Sequence, residues 1–263
     1  MNEDFIIKTL ALPPLASAHG GQIDSIIWLI HLLMILLFIG WGIFFVCVLY
    51  RFRKSKNPKA HYHGVKNHIS SYLETSVAIA EIILLAGFSI PFWAKVVNAL
   101  PDEKKATVVH IVAEQFAWNI HYPGPDGVFG RTDPKLINNQ RNPIGLDQTD
   151  VASHDDIVTL NQLHLPVDKP AIIYLTSKDV IHCFSLAIMR VKQDIIPGMK
   201  MPTWFIPVKT GKSEIGCAQL CGLGHYHMRG FLTVDTQKEF EEWLKSQEAA
   251  PSLTPSGGDD FWN

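Results

Sequence analysis

The chain has few cysteines and lacks the motif that attaches haem covalently. Its 263 residues include four Cys. No Cys-x-x-Cys-His occurs, so we expect no covalent c-type haem here. Cys47 lies in an apolar run, where a small buried residue is its expected role. Cys217 and Cys221 are four residues apart, and a structural disulfide between them is one interpretation, which an oxidising outer compartment would permit.

Charge is missing from a long stretch near the N-terminus. Residues 25–50 contain no Asp, Glu, Lys or Arg, and a helix needs about 20 apolar residues to cross a bilayer. A second apolar stretch, about 72–93, is interrupted only by Glu74 and Glu81. Two buried core helices of a soluble domain are the alternative. The lengths, and the basic cluster between the stretches, favour a hairpin of two membrane helices over 25–98.

Basic residues collect between the two apolar stretches. The loop 51–71 holds six Lys or Arg, whereas the first 24 residues hold only Lys8. Positively charged loops stay on the cytoplasmic side of a membrane. We therefore expect membrane lipids as partners, with the N-terminal segment 1–24 and the C-terminal part of the chain both outside. No nucleic-acid partner is expected.

Beyond residue 101 the pattern changes to short apolar runs between turn residues, which predicts strands and favours an all-β sandwich or barrel over 101–248. Residues 122–156 are rich in Gly, Pro, Asp and Asn, which predicts an inserted loop. Thr236 and Glu239 form a candidate capping box for a helix over 236–249. Residues 249–263 are expected to form a mobile tail. The predicted strands are 107–113, 157–160, 171–176, 180–184 and 230–234.

The segment 217–228 gathers soft metal ligands. It reads Cys-Ala-Gln-Leu-Cys-Gly-Leu-Gly-His-Tyr-His-Met, with His225 and Met228 following the two thiols. Thiolate and thioether suit copper and imidazole completes such a site, whereas zinc makes little use of Met. A further histidine, His182, stands upstream. The combined pattern predicts a copper site.

This pattern, with two membrane helices and an outer β-domain, resembles subunit II of a haem-copper cytochrome c oxidase. The family pattern Cys-x-Glu-x-Cys-Gly-x-x-His-x-x-Met aligns with residues 217–228. The upstream element 179–182 reads Asp-Val-Ile-His, and Lys-x-Asp-x-x-Pro-Gly follows at 192–198. The resemblance covers nearly the whole chain. It implies a cupredoxin-like sandwich anchored by a helical hairpin, with the binuclear copper centre CuA as its cofactor.

The resemblance also implies a set of copper ligands: two bridging thiolates, one imidazole for each copper, a weak thioether and a weak backbone carbonyl. In chain order they are His182, Cys217, the carbonyl of Gln219, Cys221, His225 and Met228. The family Glu at position 219 also binds magnesium at the interface with subunit I. Because Gln219 lacks that charge, we do not expect a normal magnesium site. Cys183 stands where the family has Ser. Its role could be that of a further bridging thiol or of a silent small residue, and both interpretations stay open.

The function implied is that of the electron-accepting subunit of a respiratory terminal oxidase. Electrons would come from cytochrome c or another haem-protein donor and pass to haem in subunit I, where oxygen is reduced to water and protons are pumped. Subunit III is expected in the complex. The membrane would be a bacterial-type inner membrane, or an equivalent energy-transducing membrane, with the copper domain on its outer, periplasmic face.

Three residues outside the ligand set are candidates for roles in that function. Phe116 stands where the family has the Trp that receives the electron, and Trp118 is a second candidate with a core aromatic as the alternative. Glu74 resembles the Glu that feeds a proton channel in subunit I, with a solvated helix-end carboxylate as its alternative. Acidic residues that could attract a basic donor are Asp147, Asp150, Asp155, Asp156 and Asp179.

Other classes share part of the pattern. A quinol oxidase subunit II has the same architecture but lacks the copper ligands, and nitrous oxide reductase carries CuA behind a large propeller domain. The CuA subunit of a nitric oxide reductase stays open, because its chemistry also lies in a partner subunit. A membrane-anchored copper chaperone could use Cys-x-x-x-Cys, but the second membrane span, His225 and Met228 disfavour it.

Overall fold

The structure is a computed structural model that describes residues 3–59, 62–63 and 67–248. The predicted mobile tail, 249–263, lies outside the described residues.

The chain divides into two compact units. One consists of Met1–Leu12 and Gly21–Ala99, and the other of Pro13–Gly20 and Leu100–Asn263. The sequence-based division into an outer N-terminal segment, a hairpin, a sandwich and a tail stays a prediction.

The first unit is helical. Its α-helices are α1 (Glu3–Thr9), α2 (Gly20–Arg51), α3 (Ile69–Leu84) and α4 (Ile90–Asn98). The 32-residue α2 and the continuous 30-residue stretch Ile69–Asn98 are long and apolar enough to cross a membrane. Their apolar side chains face outward, with Phe38 80% exposed. The predicted pair of apolar helices is therefore present.

The second long helix contains a π-helical segment, Leu85–Ser89, between α3 and α4. Pro91 follows this segment. A proline has no backbone N–H to donate, and its ring crowds the carbonyl group four residues earlier in the helix. The widened turn accommodates that loss. Ser89 Oγ donates to the carbonyl of Leu84 at 3.3 Å.

The second unit is built mainly of strands. In chain order they are β1 (Thr107–Glu114), β2 (Ala117–Tyr122), β3 (Ile157–Leu160), β4 (Gln162–Pro166), β5 (Ala171–Ser177), β6 (His182–Leu186), β7 (Val191–Ile195), β8 (Met201–Phe205), β9 (Gly211–Cys217) and β10 (Arg229–Asp235). One sheet has the order β3-β2-β1-β5-β8, and the other β4-β10-β9-β6-β7. The pairs β1–β5 and β4–β10 are parallel, and the rest are antiparallel.

The core lies between the two sheets. Strand β1 alternates, with Val109, Ile111 and Ala113 fully buried, as expected for a strand with one buried face. Trp118 from β2 and Phe184 from β6 meet edge to face, with 5.8 Å between ring centroids. Burying each large apolar side chain contributes roughly 1.5–3 kcal/mol. The predicted all-β sandwich is confirmed.

A short helix closes one end of the second unit, as predicted. Helix α5 spans Gln237–Glu248. The backbone N–H of Thr236 donates to Glu239 Oε2 at 2.9 Å, and the backbone N–H of Glu239 donates to Thr236 Oγ1 at 3.4 Å. This reciprocal arrangement is a capping box. Trp243 on the helix packs against Tyr122 of β2, with ring centroids 5.3 Å apart.

The segment between β2 and β3 is fastened to the first sheet by side chains. Phe129 stacks on His110 of β1, with ring centroids 3.8 Å apart. His121 Nε2 lies 2.8 Å from Asp156 Oδ2, and the backbone N–H of Gly130 donates to that same oxygen at 2.8 Å. Both the His121 and the Asp156 side chains are buried. The segment is therefore held near both its ends.

Candidate metal centre

The ligand loop 217–228 connects two neighbouring antiparallel strands, β9 and β10. The backbone N–H of Cys217 donates to the carbonyl of Met228 at 3.3 Å, which closes the base of the loop. The N–H of Ala218 donates to the carbonyl of Cys183 in β6 at 2.9 Å. Three adjacent strands therefore fix the loop, and a site carried on strands is positioned more precisely than one on a free loop.

The side chains predicted as ligands converge. The sulfurs of Cys217 and Cys221 are 3.8 Å apart. Cys221 Sγ lies 3.5 Å from His225 Nδ1 and 3.8 Å from Met228 Sδ. His182, at the start of β6, places Nδ1 3.9 Å from Cys217 Sγ. The fold thus brings a histidine from a separate strand to the two thiols of the loop.

The remaining predicted ligand is a main-chain oxygen. The carbonyl oxygen of Gln219 lies 3.2 Å from Cys217 Sγ, so it faces the cluster. The Gln219 side chain is exposed. The backbone at this position is therefore available to a metal, while the amide is free for a partner surface.

The chemistry of this donor set fits copper. Two thiols, two imidazoles and a thioether are soft or borderline ligands, and carboxylates are not among them. His182, Cys217 and Cys221 form a group whose ligand atoms lie within 4.8 Å of one another. The two cysteines are free thiols, and their 3.8 Å separation far exceeds the about 2 Å of a disulfide.

The two neighbouring thiols differ in pKa. Burial raises the pKa of Cys217, but hydrogen bonds from His182 and from the backbone of Cys183 outweigh it and lower that pKa to about 6. Burial, and then the adjacent Cys217, raise the pKa of Cys221 to about 11. The first proton therefore leaves easily and the second is held. A bound metal would displace both protons, because the thiolate is the ligand.

Asp179 orients the upstream histidine. Its Oδ1 lies 2.8 Å from His182 Nε2, so with a proton on Nε2 the ring presents Nδ1 to the thiols. Burial lowers the pKa of His182, but hydrogen bonds to Cys217 and Asp179 outweigh it and raise the pKa overall. Burial raises the pKa of Asp179, but the hydrogen bond with His182 outweighs this effect, and the pKa of Asp179 is lowered overall.

The stretch 115–116 contacts the same loop from the first sheet. The backbone N–H of Gln115 donates to Asp179 Oδ2 at 2.7 Å, and its side-chain Nε2 donates to the carbonyl of Cys221 at 2.6 Å. The ring of Phe116 lies on the backbone of Gly222 and Gly224. A Cβ at position 224 would stand 2.5 Å from the Phe116 ring. Glycine at 224 is therefore required for this contact.

The two aromatic candidates have different surroundings. Phe116 is 36% exposed and contacts the ligand loop. Trp118 is fully buried, with its ring centroid 6.4 Å from that of His182. Of the two, Phe116 alone has surface that a partner protein can touch. Glu74 is exposed on α3, in the other unit.

Cys183 lies outside the group formed by His182, Cys217 and Cys221. It is buried and pairs with Asp194 across β6 and β7. Burial, followed by the hydrogen bond with Asp194, raises the pKa of Cys183 to about 12. This engagement with Asp194, outside the group of converging ligand atoms, favours the interpretation of a silent small residue.

Sequence reasoning missed two supporting residues. The hydrogen bonds from Gln115 to Cys221 and to Asp179 join segments that are distant in sequence. The contact between Asp179 and His182 is local, three residues apart, but the upstream motif alone did not reveal it. The separations are 106 residues for Gln115 and Cys221 and 64 for Gln115 and Asp179. No local pattern signals such contacts.

Known proteins resemble this chain along most of its length. The family model described as cytochrome c oxidase subunit II, periplasmic domain, matches residues 107–234. The alternative cytochrome c oxidase subunit 2 of Bradyrhizobium diazoefficiens is 31% identical over 242 residues, which cover 92% of this chain and 85% of that protein. The probable cytochrome c oxidase subunit 2 of Rickettsia bellii is 24% identical over 213 residues, 81% of this chain and 74% of that protein.

Solved structures include a related domain. The crystal structure of the periplasmic domain of subunit II of cytochrome oxidase from Bradyrhizobium japonicum has 28% sequence identity and a TM-score of 0.41. The match covers 56% of this chain and 96% of that one.

Proposed function

The chain belongs to the cytochrome c oxidase subunit II family, and from that premise we propose that its metal centre accepts single electrons from a haem-protein donor and delivers them to haem in subunit I. As a member of that family it is a subunit of a haem-copper oxidase, an oxidoreductase complex. Its two apolar helices suit a membrane anchor, with the β-domain on the outer face. We place the protein in a bacterial-type inner membrane or an equivalent energy-transducing membrane.

One observation carries the proposal. Donor atoms from a loop and from a separate strand converge around two free thiols 3.8 Å apart. The proposed ligands of the binuclear copper centre are His182, Cys217, the carbonyl of Gln219, Cys221, His225 and Met228. When bound, the copper pair supplies a centre that takes up and releases one electron with little change of geometry.

The protein's own residues limit rearrangement around that centre. Cys221 and Met228 are 4% and 2% exposed, so they keep water from one side of it. Asp179 holds the His182 ring, with Nε2 2.8 Å from its Oδ1 and Nδ1 3.9 Å from Cys217 Sγ. Fixed surrounding partners of this kind tune a metal site.

The remaining parts of the proposal concern partners. Subunit I would carry out oxygen reduction and proton pumping, and subunit III would complete the complex. Glu74 is an ionisable group near the end of a membrane helix. It would pass protons from this chain into a proton channel of subunit I. The exposed Gln219 would contact subunit I, and we expect no normal magnesium site at that interface. Phe116 would receive the electron, since it joins the protein surface to the ligand loop.

Copper content and EPR spectroscopy of the full chain, purified in detergent and loaded with copper, test the proposal. We expect two coppers per chain and the hyperfine pattern of one electron shared by two copper nuclei. His225→Ala should abolish that pattern, whereas His154→Ala, at an exposed histidine outside the loop, should preserve it. A single isolated copper, or none, would refute the proposal and favour a copper chaperone or a structural disulfide instead.

A further inference from the structure

We propose that the donor is recognised through an uncharged rim, formed by Phe116, Leu223 and Tyr226, and that the donor carries an apolar, uncharged surface around its own haem edge. This inference rests on the proposed electron-accepting function. It names the chemistry of the partner, which that function leaves open.

The rim consists of large apolar or aromatic side chains whose exposure to water is unfavourable in the absence of a partner. Leu223 is 99% exposed, Tyr226 76% and Phe116 36%. The whole loop 217–228 contains no Asp, Glu, Lys or Arg. Scattered exposed apolar residues are ordinary, but several large ones around a functional group indicate an interaction site. An uncharged surface of this kind is complementary to an uncharged partner.

The position of the rim argues for a redox partner. Leu223 lies between Gly222 and Gly224, the two residues on which the Phe116 ring rests. Cys221 and His225 come directly before and after that three-residue stretch. A partner seated on Leu223 is therefore two residues in sequence from each of two proposed copper ligands. A lipid or a second copy of this chain would gain nothing from that proximity.

Charges at the base of the loop are already paired. Glu114, which precedes the Gln115–Phe116 stretch, forms an ion pair with Lys178. Arg229, which follows the loop, lies 3.3 Å from Glu214. Asp179 accepts hydrogen bonds from the backbone and faces His182. These groups present little free charge of either sign to a partner.

The acidic residues of the β2–β3 segment, expected to attract a basic donor, are engaged as well. Asp156 is buried against His121, and Asp147 pairs with Arg131 at 2.6 Å. Asp150 accepts a hydrogen bond from the backbone of Arg131, and Asp155 accepts one from that of Asp126. The pairing of Asp147 and the burial of Asp156 weaken the field that would steer a lysine-rich protein, whereas Asp150 and Asp155 keep their charge.

The step itself is a simple electron exchange. The ferrous haem iron of the donor loses one electron and becomes ferric, and the metal centre held by the loop gains that electron. No covalent bond forms or breaks, and no proton moves. The rim therefore has to supply only contact and proximity.

The test measures electron transfer from two probes to the purified oxidase complex containing this chain. One probe is a c-type cytochrome with an apolar, uncharged haem edge, and the other is a basic cytochrome c with a lysine-ringed edge. Rates are recorded between about 0.01 and 0.3 M ionic strength, a range over which screening of exposed charges becomes nearly complete. The variants are Leu223→Glu and Tyr226→Glu. Val151→Glu is the matched control, because Val151 is 79% exposed and lies outside the loop.

We expect the uncharged probe to react faster than the lysine-ringed one, with a rate that salt changes by less than about twofold. Leu223→Glu and Tyr226→Glu should slow the uncharged probe about tenfold and speed the lysine-ringed probe at low salt. Val151→Glu should change neither rate. The opposite signs for the two probes matter, because a misfolded variant would slow both.

Three results would overturn the inference. The first is a wild-type rate that favours the lysine-ringed probe and falls steeply with salt. The second is a rim variant that behaves like Val151→Glu. The third is loss of haem or of subunit I from the rim variants, which would place the rim at the interface with subunit I. Turnover with a small-molecule reductant distinguishes these results from failure of the proposed function. A complex that has lost only its donor surface should keep that turnover, whereas a complex without an electron-accepting centre should lose it.

Discussion

Asp179 Oδ1 lies 2.8 Å from Nε2 of His182, and the other oxygen of the same carboxylate accepts the backbone N–H of Gln115 at 2.7 Å. One side chain thus connects a proposed copper ligand to the stretch that carries Phe116. A shift of Asp179 would therefore move both the His182 ring and the surface stretch that carries Phe116.

Replacing Asp179 tests that link. Asp179→Ala should weaken copper binding about 10–100-fold, since partners that orient a ligating histidine contribute that much. The affinity is measured by competition with a copper chelator, and the EPR hyperfine pattern reports the altered centre. Asp150→Ala removes a carboxylate that bonds only to the backbone of the β2–β3 segment and should leave both unchanged. Equal effects of the two variants would contradict the assigned role.

The thiols of the metal-free chain should react at different rates. Cys217 has a pKa of about 6 and Cys221 a pKa of about 11, and only the thiolate is nucleophilic. Alkylation of Cys217 should rise as the pH increases through about 6, while Cys221 stays slow up to pH 8. Peptide mapping by mass spectrometry after timed alkylation measures both sites. Copper should protect both, and equal rates at the two cysteines would refute the difference.

The contact between Phe116 and the ligand loop requires glycine at 224. In Gly224→Ala the new Cβ would stand 2.5 Å from the Phe116 ring, and such overpacking costs about 1–3 kcal/mol. We expect a lower unfolding temperature and slower electron uptake. Adding Phe116→Leu should recover part of the stability, a coupling that a double-mutant cycle measures.

A nearby glycine supplies the control for that experiment. Gly216→Ala meets nothing within 4 Å and should leave both the stability and the electron uptake unchanged. If Gly216→Ala and Gly224→Ala had the same effect, the ring contact would not be the cause.

The β2–β3 segment depends on a buried hydrogen bond. His121→Ala removes one of two partners of Asp156 Oδ2, whose side chain is fully buried, and leaves the backbone N–H of Gly130 as the other. Losing one partner of a buried polar group costs about 1–3 kcal/mol. Thermal unfolding should show that loss. Limited proteolysis should cut residues 123–155 faster. His154→Ala removes only a hydrogen bond from an exposed ring to the carbonyl of Gln148 at 3.1 Å, and it should have little effect on either measurement.

Position 219 offers a gain-of-function test. Gln219→Glu restores the carboxylate expected of the family, so the assembled complex should acquire a divalent-cation site, because hard cations prefer charged oxygen ligands. Growth with manganese and EPR of the purified complex would detect the ion. The copper signal should persist, because the proposed copper ligand at this position is the backbone carbonyl. A manganese signal already present in the wild type would contradict the expectation of no normal site.

Five strands were not predicted from the sequence: β2, β4, β7, β8 and β9. Strand β9 reads Gly-Lys-Ser-Glu-Ile-Gly-Cys, and of its side chains only Ile215 is fully buried. Its sequence has little strand propensity of its own, yet it lies between β10 and β6. Strand formation there depends on cross-strand partners, which a single segment does not reveal.

The sequence by itself determined the chemistry of the site and the outline of the chain. Ligand identity and spacing in 217–228 are local, and so are the length of an apolar helix and the Thr236–Glu239 capping box. The tertiary structure decided which distant groups meet. It brought His182 to within 3.9 Å of Cys217, buried Trp118 while exposing Phe116, and separated the pKa values of the two thiols. Those properties arise from strand register and burial, which depend on contacts between residues far apart in sequence.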